Sequence, residues 1–224
     1  MVKLADTITK KADQTFLSEN GVPSQTYDLI YKTGAPWETG LVQPEVAKIC
    51  EREKITGRVL DVGCGLGSNT RHIAQFATQI LGVDFVNAVI EQAKSISSND
   101  NNNVSYSCLN IFDITSQGYG IFDVIFDSAT LHGFSNHERL NYSECLKHVT
   151  KIGSTIYILG IGDKETREGG PRRLSDQVIR RVFGGADWHI DYVRDTLYDA
   201  SIFPGGAKAV VAKILRVEIP EDIR

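Results

Sequence analysis

Short apolar segments alternate along the chain with longer segments in which apolar residues recur at helical spacing. Five apolar segments have the length and composition of buried strands: 58–62, 79–83, 103–109, 122–126 and 154–159. Between them, helical spacing predicts helices over 68–76, 85–96 and 136–149. This alternation of strands and helices predicts a parallel sheet with helices on both faces.

The last third of the chain has a different pattern. Helical spacing predicts one more helix over 174–183, and two strands follow over 189–198 and 207–217. A turn at Phe203-Pro204-Gly205-Gly206 joins these strands, and it is too short to hold a crossover helix. The sequence therefore predicts an α/β three-layer sandwich whose mostly parallel seven-stranded sheet ends in an antiparallel hairpin.

Residues 1–57 precede the first strand and are predicted to form a helical cap on the core of residues 58–224, within one structural domain overall. Val42 to Glu51 has the spacing of a helix. Ile8 and Phe16 have helical spacing in the first part of the chain, and Gly21-Val22-Pro23 after them predicts a loop that covers a cleft.

Net charge, apolar run length and cysteine spacing indicate which partners and which cellular compartment to expect. The 224 residues carry a net charge of −4, which argues against a nucleic-acid partner. We expect no membrane segment, since no apolar run approaches about 18 residues. The four cysteines are widely spaced and form no Cys-x-x-Cys pair, which favours a reduced cytoplasm and predicts no metal site. A monomer is the default expectation.

The residues with the clearest chemical meaning follow the first strand. Gly63, Gly65 and Gly67 occupy alternate positions between that strand and a helix. Glycines allow the backbone to turn sharply and to approach a ligand closely, and the helix offers free N–H groups. Asp84 ends the next strand, 21 residues after Gly63, where a carboxylate can accept two hydrogen bonds from a ribose diol. A tight turn without a ligand, and a helix N-cap at Asp84, are the alternatives.

The spacing of these glycines distinguishes between nucleotide ligands. A nicotinamide dinucleotide site would have its third glycine at position 68, which is Ser68 here. Asp61 lies two residues before the first glycine, where negative charge disfavours a pyrophosphate and suits an α-ammonium group or another cation. The loop therefore favours a sulfonium amino-acid nucleoside over a dinucleotide.

Residues 60–67, Leu-Asp-Val-Gly-Cys-Gly-Leu-Gly, resemble the first motif of class I S-adenosylmethionine-dependent methyltransferases. The resemblance runs from about residue 36 to 216. Residues 35–40, Ala-Pro-Trp-Glu-Thr-Gly, with Gln43-Pro44, are similar to the segment ahead of the core in the branch that methylates thiopurines, thiols and halides. The resemblance implies a Rossmann-like methyltransferase fold and S-adenosyl-L-methionine as cofactor.

The resemblance also assigns roles around the first motif. The three glycines would pass under the methionine portion of the cofactor, Asp61 would help to hold its amino group, and Asp84 would bind the ribose hydroxyls. Phe85 would pack against the adenine.

Three further positions extend this implied cofactor site. Asn110-Ile111 would contact the exocyclic adenine amine, although Asn110 stands where the family often has an acid. Trp37 would present its ring to the sulfonium, with ordinary core packing as the alternative.

The end of the fourth strand supplies the candidate catalytic residues, because ligands of open α/β sheets bind at such ends. Asp127 is a candidate for both catalysis and cofactor binding, or it only caps the following segment. His132 is a candidate general base or a structural histidine. Arg172 and Arg173 lie in a segment that resembles a substrate-side loop of this branch, where they would hold an anionic acceptor or form a solvated turn.

Aromatic side chains of the cap have two possible roles as well. Tyr27, Tyr31 and Phe16 line an acceptor pocket or are ordinary cap packing.

The sequence thus predicts an S-adenosylmethionine-dependent methyltransferase that acts on a thiol, a phenol or a similar small-molecule nucleophile by in-line displacement, for which a base is optional. Amines of nucleic acids are disfavoured, because residues 127–130 read Asp-Ser-Ala-Thr rather than Asn/Asp-Pro-Pro followed by an aromatic residue. The alternatives are a non-catalytic protein of the same fold that binds the cofactor as a scaffold, and a nicotinamide-dependent oxidoreductase.

Overall fold

The protein forms a seven-stranded, mostly parallel sheet with helices on both faces. The computed structural model describes residues 22–97 and 102–219. The strands are β1 Arg58–Val62, β2 Gln79–Asp84, β3 Val104–Cys108, β4 Phe122–Ser128, β5 Thr150–Ile161, β6 Trp188–Tyr198 and β7 Ala207–Arg216. Their order is β3-β2-β1-β4-β5-β7-β6, with β1 to β5 parallel and β7 antiparallel to both of its neighbours. The predicted sheet and its closing hairpin are confirmed.

The helices agree with the sequence pattern and differ mainly at their ends. They are α1 Ser24–Thr33, α2 Pro44–Arg52, α3 Ser68–Ile73, α4 Asn87–Ser97, α5 Asn136–His148 and α6 Asp176–Phe183, with 3₁₀ turns at Ile111–Gln117 and Leu131–Gly133. Ser135 and Glu138 form a reciprocal capping box that fixes the start of α5. Ser175 caps α6, so that helix begins two residues later than predicted.

Residues 24–33 form helix α1, within the segment for which the sequence predicts a helical cap. Tyr27, Ile30 and Tyr31 are spaced three and four residues apart and share one face of α1, which is the face turned towards the protein. The helix starts directly after Pro23, a residue compatible with a helix start. The expectations for Ile8 and Phe16 fall outside the described residues.

Two apolar layers hold the sheet. One face of the sheet packs against α5 and α6 through a cluster that includes Leu60, Tyr142 and Phe183. The other face packs against α2 and α3 through residues such as Ile49 and Val59. Because α2 shares this second layer with β1, the end of the N-terminal segment belongs to the same core as the sheet. The division into a cap of residues 1–57 and a core of residues 58–224 stays a prediction.

The connections between the strands determine where a ligand can bind. From β1 the chain moves outward to β2 and β3, and then returns to β4 on the other side of β1. The loops that leave β1 and β4 therefore diverge, and a crevice opens between them at the carboxyl edge of the sheet. Val22, two residues before α1, connects to the segment after β4, since its N–H donates to the Gly133 carbonyl at 2.8 Å.

Within residues 22–97 and 102–219, no helix is both long enough and apolar enough to cross a membrane. The same part of the chain contains no group of three or more His, Cys, Asp and Glu side chains arranged to hold a metal ion.

Candidate functional site

The loop after β1 requires glycine at its alternate positions. Gly63, Gly65 and Gly67 have φ values of +64°, +54° and +79°, in the left-handed region that other residues rarely adopt. A Cβ on Gly65 would also overlap the carboxylate of Glu38. The loop is therefore both conformationally specialised and closely packed against Glu38, so a side chain at Gly65 would displace it.

Asp84 joins this loop to the end of β2. Its carboxylate is 7% exposed and accepts hydrogen bonds from the Gly65 N–H at 3.2 Å and the Val86 N–H at 2.9 Å. The capping alternative is thus present, and each oxygen still has a lone pair for a ribose hydroxyl. Burial raises the pKa of Asp84 above its ordinary value.

Asp61 belongs to β1, next to its last residue, and faces α3 beneath the loop. It is 1% exposed, and the Thr70 hydroxyl donates to its carboxylate at 2.5 Å. Burial, together with the nearby carboxylates of Asp127, Asp84 and Glu38, raises the pKa of Asp61 to about 7 against the opposing hydrogen bond from Thr70. A positive charge bound nearby would stabilise the ionised form of Asp61.

Glu38 is a site residue that the sequence interpretation missed. Its carboxylate accepts a hydrogen bond from the Leu66 N–H at 3.0 Å, and it lies against the glycine loop. Burial raises the pKa of Glu38. The available signal was its position next to Trp37, in the segment that resembles the family.

Four carboxylates therefore converge around the loop, and we refer to Glu38, Asp61, Asp84 and Asp127 as the acidic cluster. Burial raises the pKa of every member. Within the part of the chain that the structure describes, no Lys, Arg or His forms an ion pair with any of the four. Negative charge without a counter-ion is an arrangement that favours a cationic ligand.

Aromatic rings cover the crevice side of the acidic cluster. The ring of Trp37 lies 6.2 Å from that of Tyr27 and 5.7 Å from that of Tyr31, and its indole N–H donates to the Tyr31 hydroxyl at 3.3 Å. Tyr27 contacts Phe85 edge to face at 5.5 Å. Phe85 remains 42% exposed, so a face of its ring is accessible to an adenine base.

Asn110 and Ile111 lie at the end of β3, beside the acidic cluster. Asn110 caps the 3₁₀ turn, with its side-chain oxygen accepting from the Phe112 N–H at 3.1 Å, and Ile111 is buried. The second lone pair of that oxygen is available to an adenine amine. The predicted contact stays a prediction.

Asp127 at the end of β4 organises the segment that follows it. It is 1% exposed and accepts from the N–H groups of Thr130 at 2.8 Å and Leu131 at 3.1 Å. Ala129, between Asp127 and Thr130, has a φ of +74° and is alone among the described non-glycine residues in having a positive φ. Burial raises the pKa of Asp127 to about 6. The capping alternative is therefore present, and its catalytic and cofactor roles stay predictions.

His132 is deeply buried on the 3₁₀ turn after β4. It is 6% exposed, and its Nδ1 has no hydrogen-bond partner among the described residues. Burial, with Arg139 and Arg173 nearby, lowers its pKa to about 3, so the imidazole is neutral at pH 7 and only a weak base. Its role as a general base stays a prediction that this environment does not support.

Comparisons with known proteins agree with this geometry. The family model for thiopurine S-methyltransferase matches residues 27–209. A 2-heptyl-1-hydroxyquinolin-4(1H)-one methyltransferase of Mycobacteroides abscessus is 29% identical over 161 residues, which are 70% of this chain and 69% of that protein. The probable thiol methyltransferase 2 of Arabidopsis thaliana is 27% identical over 168 residues, 74% of either chain.

Solved structures show the same fold. A structure from a study of the conversion of a disulfide bond into a thioacetal group during echinomycin biosynthesis superposes with a TM-score of 0.76 at 22% identity, over 90% of this chain and 96% of that one. The N-methyltransferase NodS of Bradyrhizobium japonicum, solved with S-adenosyl-L-homocysteine, has a TM-score of 0.69 at 15% identity, over 87% and 98%.

Proposed function

Because the chain belongs to the thiopurine S-methyltransferase family, we propose that it methylates a small thiol or an acidic hydroxyl compound by in-line displacement. That it is an S-adenosylmethionine-dependent methyltransferase follows from the family and from its named relatives. The finer choice of acceptor is supported by the relatives whose names specify a thiol and a hydroxyquinolinone.

The residues of the site fit the cofactor. Gly63, Gly65 and Gly67 let the loop turn in the left-handed region beside Asp84, whose carboxylate oxygens keep lone pairs for the ribose hydroxyls. The exposed face of Phe85 suits adenine. The acidic cluster suits the positive charges of the donor.

Chemically, the bound cofactor supplies a methyl group on a positively charged sulfur, and transfer forms the nucleophile–carbon bond while the carbon–sulfur electron pair stays on sulfur. The protein must contribute alignment, an effect worth up to roughly 7–11 kcal/mol. Asp84 and the glycine loop would hold the cofactor, and so the sulfur and methyl carbon, in place for the nucleophile. Helix α1, with Tyr27 and Tyr31, and the ring of Trp37 cover the crevice and exclude water.

The environments of the two candidate bases favour an acceptor that ionises by itself. His132 has a pKa of about 3, and both oxygens of Asp127 accept hydrogen bonds from backbone N–H groups. A thiol with a pKa near 8.5 is already a few per cent thiolate at pH 7, whereas a phenol near 10 needs more help. We expect the nucleophile to arrive already ionised.

The observation that carries this proposal is the hydrogen bond from the Gly65 N–H to the Asp84 carboxylate. It joins the glycine loop to the residue that is predicted to bind the ribose hydroxyls. A transfer assay with methyl-labelled S-adenosylmethionine over thiols, acidic hydroxyl compounds, amines and halides tests it. We expect labelled thioether or ether products. Labelled amines alone would contradict the acceptor class, and tight cofactor binding without any transfer would favour the scaffold alternative. The cytoplasm and a monomeric state stay predictions.

A further inference from the structure

Three arginines converge beside the crevice on the side away from the glycine loop. Arg139 belongs to α5, and Arg172 and Arg173 belong to the loop between β5 and α6. Throughout residues 22–97 and 102–219, no carboxylate forms an ion pair with any of the three. Elsewhere in the fold, the arginines that do pair with a carboxylate are Arg167, Arg180, Arg194 and Arg216. We refer to Arg139, Arg172 and Arg173 as the basic cluster.

Arg139 is the most deeply buried member of the basic cluster. It is 4% exposed, its Nε donates to the Leu131 carbonyl at 3.2 Å, and its buried Nη2 has no hydrogen-bond partner in the described structure. Burial lowers its pKa to about 10, the charge of Arg172 lowers it too, and only Asp127 acts in the opposite direction. A buried guanidinium with an unused N–H is costly unless an acceptor reaches it.

The side chain of Arg172 extends from the loop after β5 and places its guanidinium against the segment after β4. Its guanidinium donates to the Phe134 carbonyl and, at 2.6 Å, to the side-chain oxygen of Asn136. Both acceptors are neutral, so its charge is not compensated by them. Arg173 donates to the carbonyls of Arg167 at 2.9 Å and Gly169 at 3.0 Å, which shapes the loop while adding a third positive charge.

The acids nearest to the basic cluster have other partners. Glu138 accepts from the Ser135 N–H at 2.7 Å within the capping box of α5. Glu165 forms a two-pronged pair with Arg167. Asp127 accepts from backbone N–H groups. The cluster therefore keeps an excess of positive charge at the edge of the crevice where β4 and β5 end.

We propose that the basic cluster binds a carboxylate that the methyl acceptor carries in addition to its nucleophilic atom. A guanidinium is planar and donates two parallel hydrogen bonds that match a carboxylate. Such a ligand would give Arg172 the counter-ion that it lacks and would bring an acceptor for the unused N–H of Arg139. The proposal rests on the proposed function, and it specifies the substrate class as small acids with a thiol or an acidic hydroxyl group.

Steady-state kinetics with a matched pair of aryl thiols tests the proposal. The pair is 3-mercaptobenzoate and benzenethiol, which differ by one carboxylate. For Arg172→Gln we expect KM to rise about tenfold for 3-mercaptobenzoate, the loss of one charge-assisted contact, and less than about twofold for benzenethiol. Arg172→Lys keeps the charge and should recover part of the loss. Arg180→Gln removes an equal charge from the surface pair with Asp176, and it should change neither KM.

An equal change for both thiols in Arg172→Gln, or the absence of any preference for 3-mercaptobenzoate in the wild-type enzyme, would overturn the proposal. If the wild-type enzyme methylates neither thiol, calorimetry with benzoate on the complex with S-adenosylhomocysteine separates the two claims. Benzoate binding that is lost in Arg172→Gln would support the basic cluster even though the proposed acceptor atom is wrong. No benzoate binding to the wild-type complex would refute it.

Discussion

The two sides of the crevice carry opposite charge that the protein itself leaves uncompensated. Three members of the acidic cluster, Glu38, Asp61 and Asp84, lie on the side of β1 and β2. Among the described residues no Lys, Arg or His forms an ion pair with them, and burial raises the pKa of each carboxylate. On the side of β4 and β5, the basic cluster has no carboxylate partner, and burial lowers the pKa of each arginine. This division matches a reaction between a cationic donor and an anionic acceptor.

The two clusters also differ in the structure that positions them. Asp61, Asp84 and Asp127 each lie at or next to the last residue of a parallel strand, so the sheet register fixes their separation. Arg172 is held by a loop, and Arg139 by a helix that starts after another loop. We therefore expect substitutions on the acidic side to weaken cofactor binding, and those on the basic side to change the choice of acceptor.

The largest effect is expected from a side chain in the glycine loop. Gly65→Ala would place a methyl group against the Glu38 carboxylate at φ +54°, and we expect affinity for S-adenosylmethionine to fall by about a hundredfold or more. Gly153→Ala is the matched control, since Gly153 has φ +89° with open space around it. It should cost about 1 kcal/mol of folding stability and leave cofactor affinity unchanged. Equal cofactor affinities for the two variants would disprove the close approach at Gly65.

An intermediate effect is expected from pH. The pKa values of Asp61, about 7, and Asp127, about 6, lie above their ordinary range, so both carboxylates gain protons as the pH falls from 7.5 to 5.5. A cation binds the ionised forms better, and the affinity for S-adenosylmethionine should therefore decrease about three- to tenfold over that interval.

Titration calorimetry at both pH values measures this loss, with S-adenosylhomocysteine as the comparison ligand. Since that ligand keeps the α-ammonium group and lacks the sulfonium charge, the two ligands should share the part of the pH dependence that comes from Asp61 and the ammonium group, and S-adenosylmethionine should lose further affinity through the sulfonium. Identical pH dependence for the two ligands would show that the acidic cluster does not interact with the sulfonium.

The smallest effect is expected at the adenine. Phe85→Ala removes an exposed ring, and affinity for S-adenosylmethionine should fall about three- to fivefold, in keeping with the modest energy of a ring contact in water. Phe76→Ala is a suitable control, because Phe76 has a similar exposure of 36% and follows α3 at the other edge of the sheet. If both variants bound as the wild-type protein does, Phe85 would have no part in the site.

Much of the fold and the acidic side of the crevice could be predicted from sequence because the signals are local. The spacing between Gly63 and Asp84 spans one strand-helix-strand unit, and the parallel register then brings the two together. Helical spacing located most helices.

Contacts between distant segments could not be predicted in the same way. The meeting of Glu38 with Leu66 joins residues 28 positions apart through an irregular segment. The Nδ1 atom of His132 lies against Gly160, which belongs to the later strand β5. Likewise, no periodicity reports that Arg172 reaches the carbonyl of Phe134.

A cross-over titration tests the division of charge most directly. Asp84→Asn and Arg172→Gln are each titrated by calorimetry with S-adenosylmethionine, and with 3-mercaptobenzoate in the presence of saturating S-adenosylhomocysteine. We predict that Asp84→Asn weakens donor binding at least about tenfold and Arg172→Gln weakens acceptor binding about tenfold, while each leaves the other ligand within about twofold. Two variants that weaken both ligands alike, or neither, would contradict a crevice with separate acidic and basic sides.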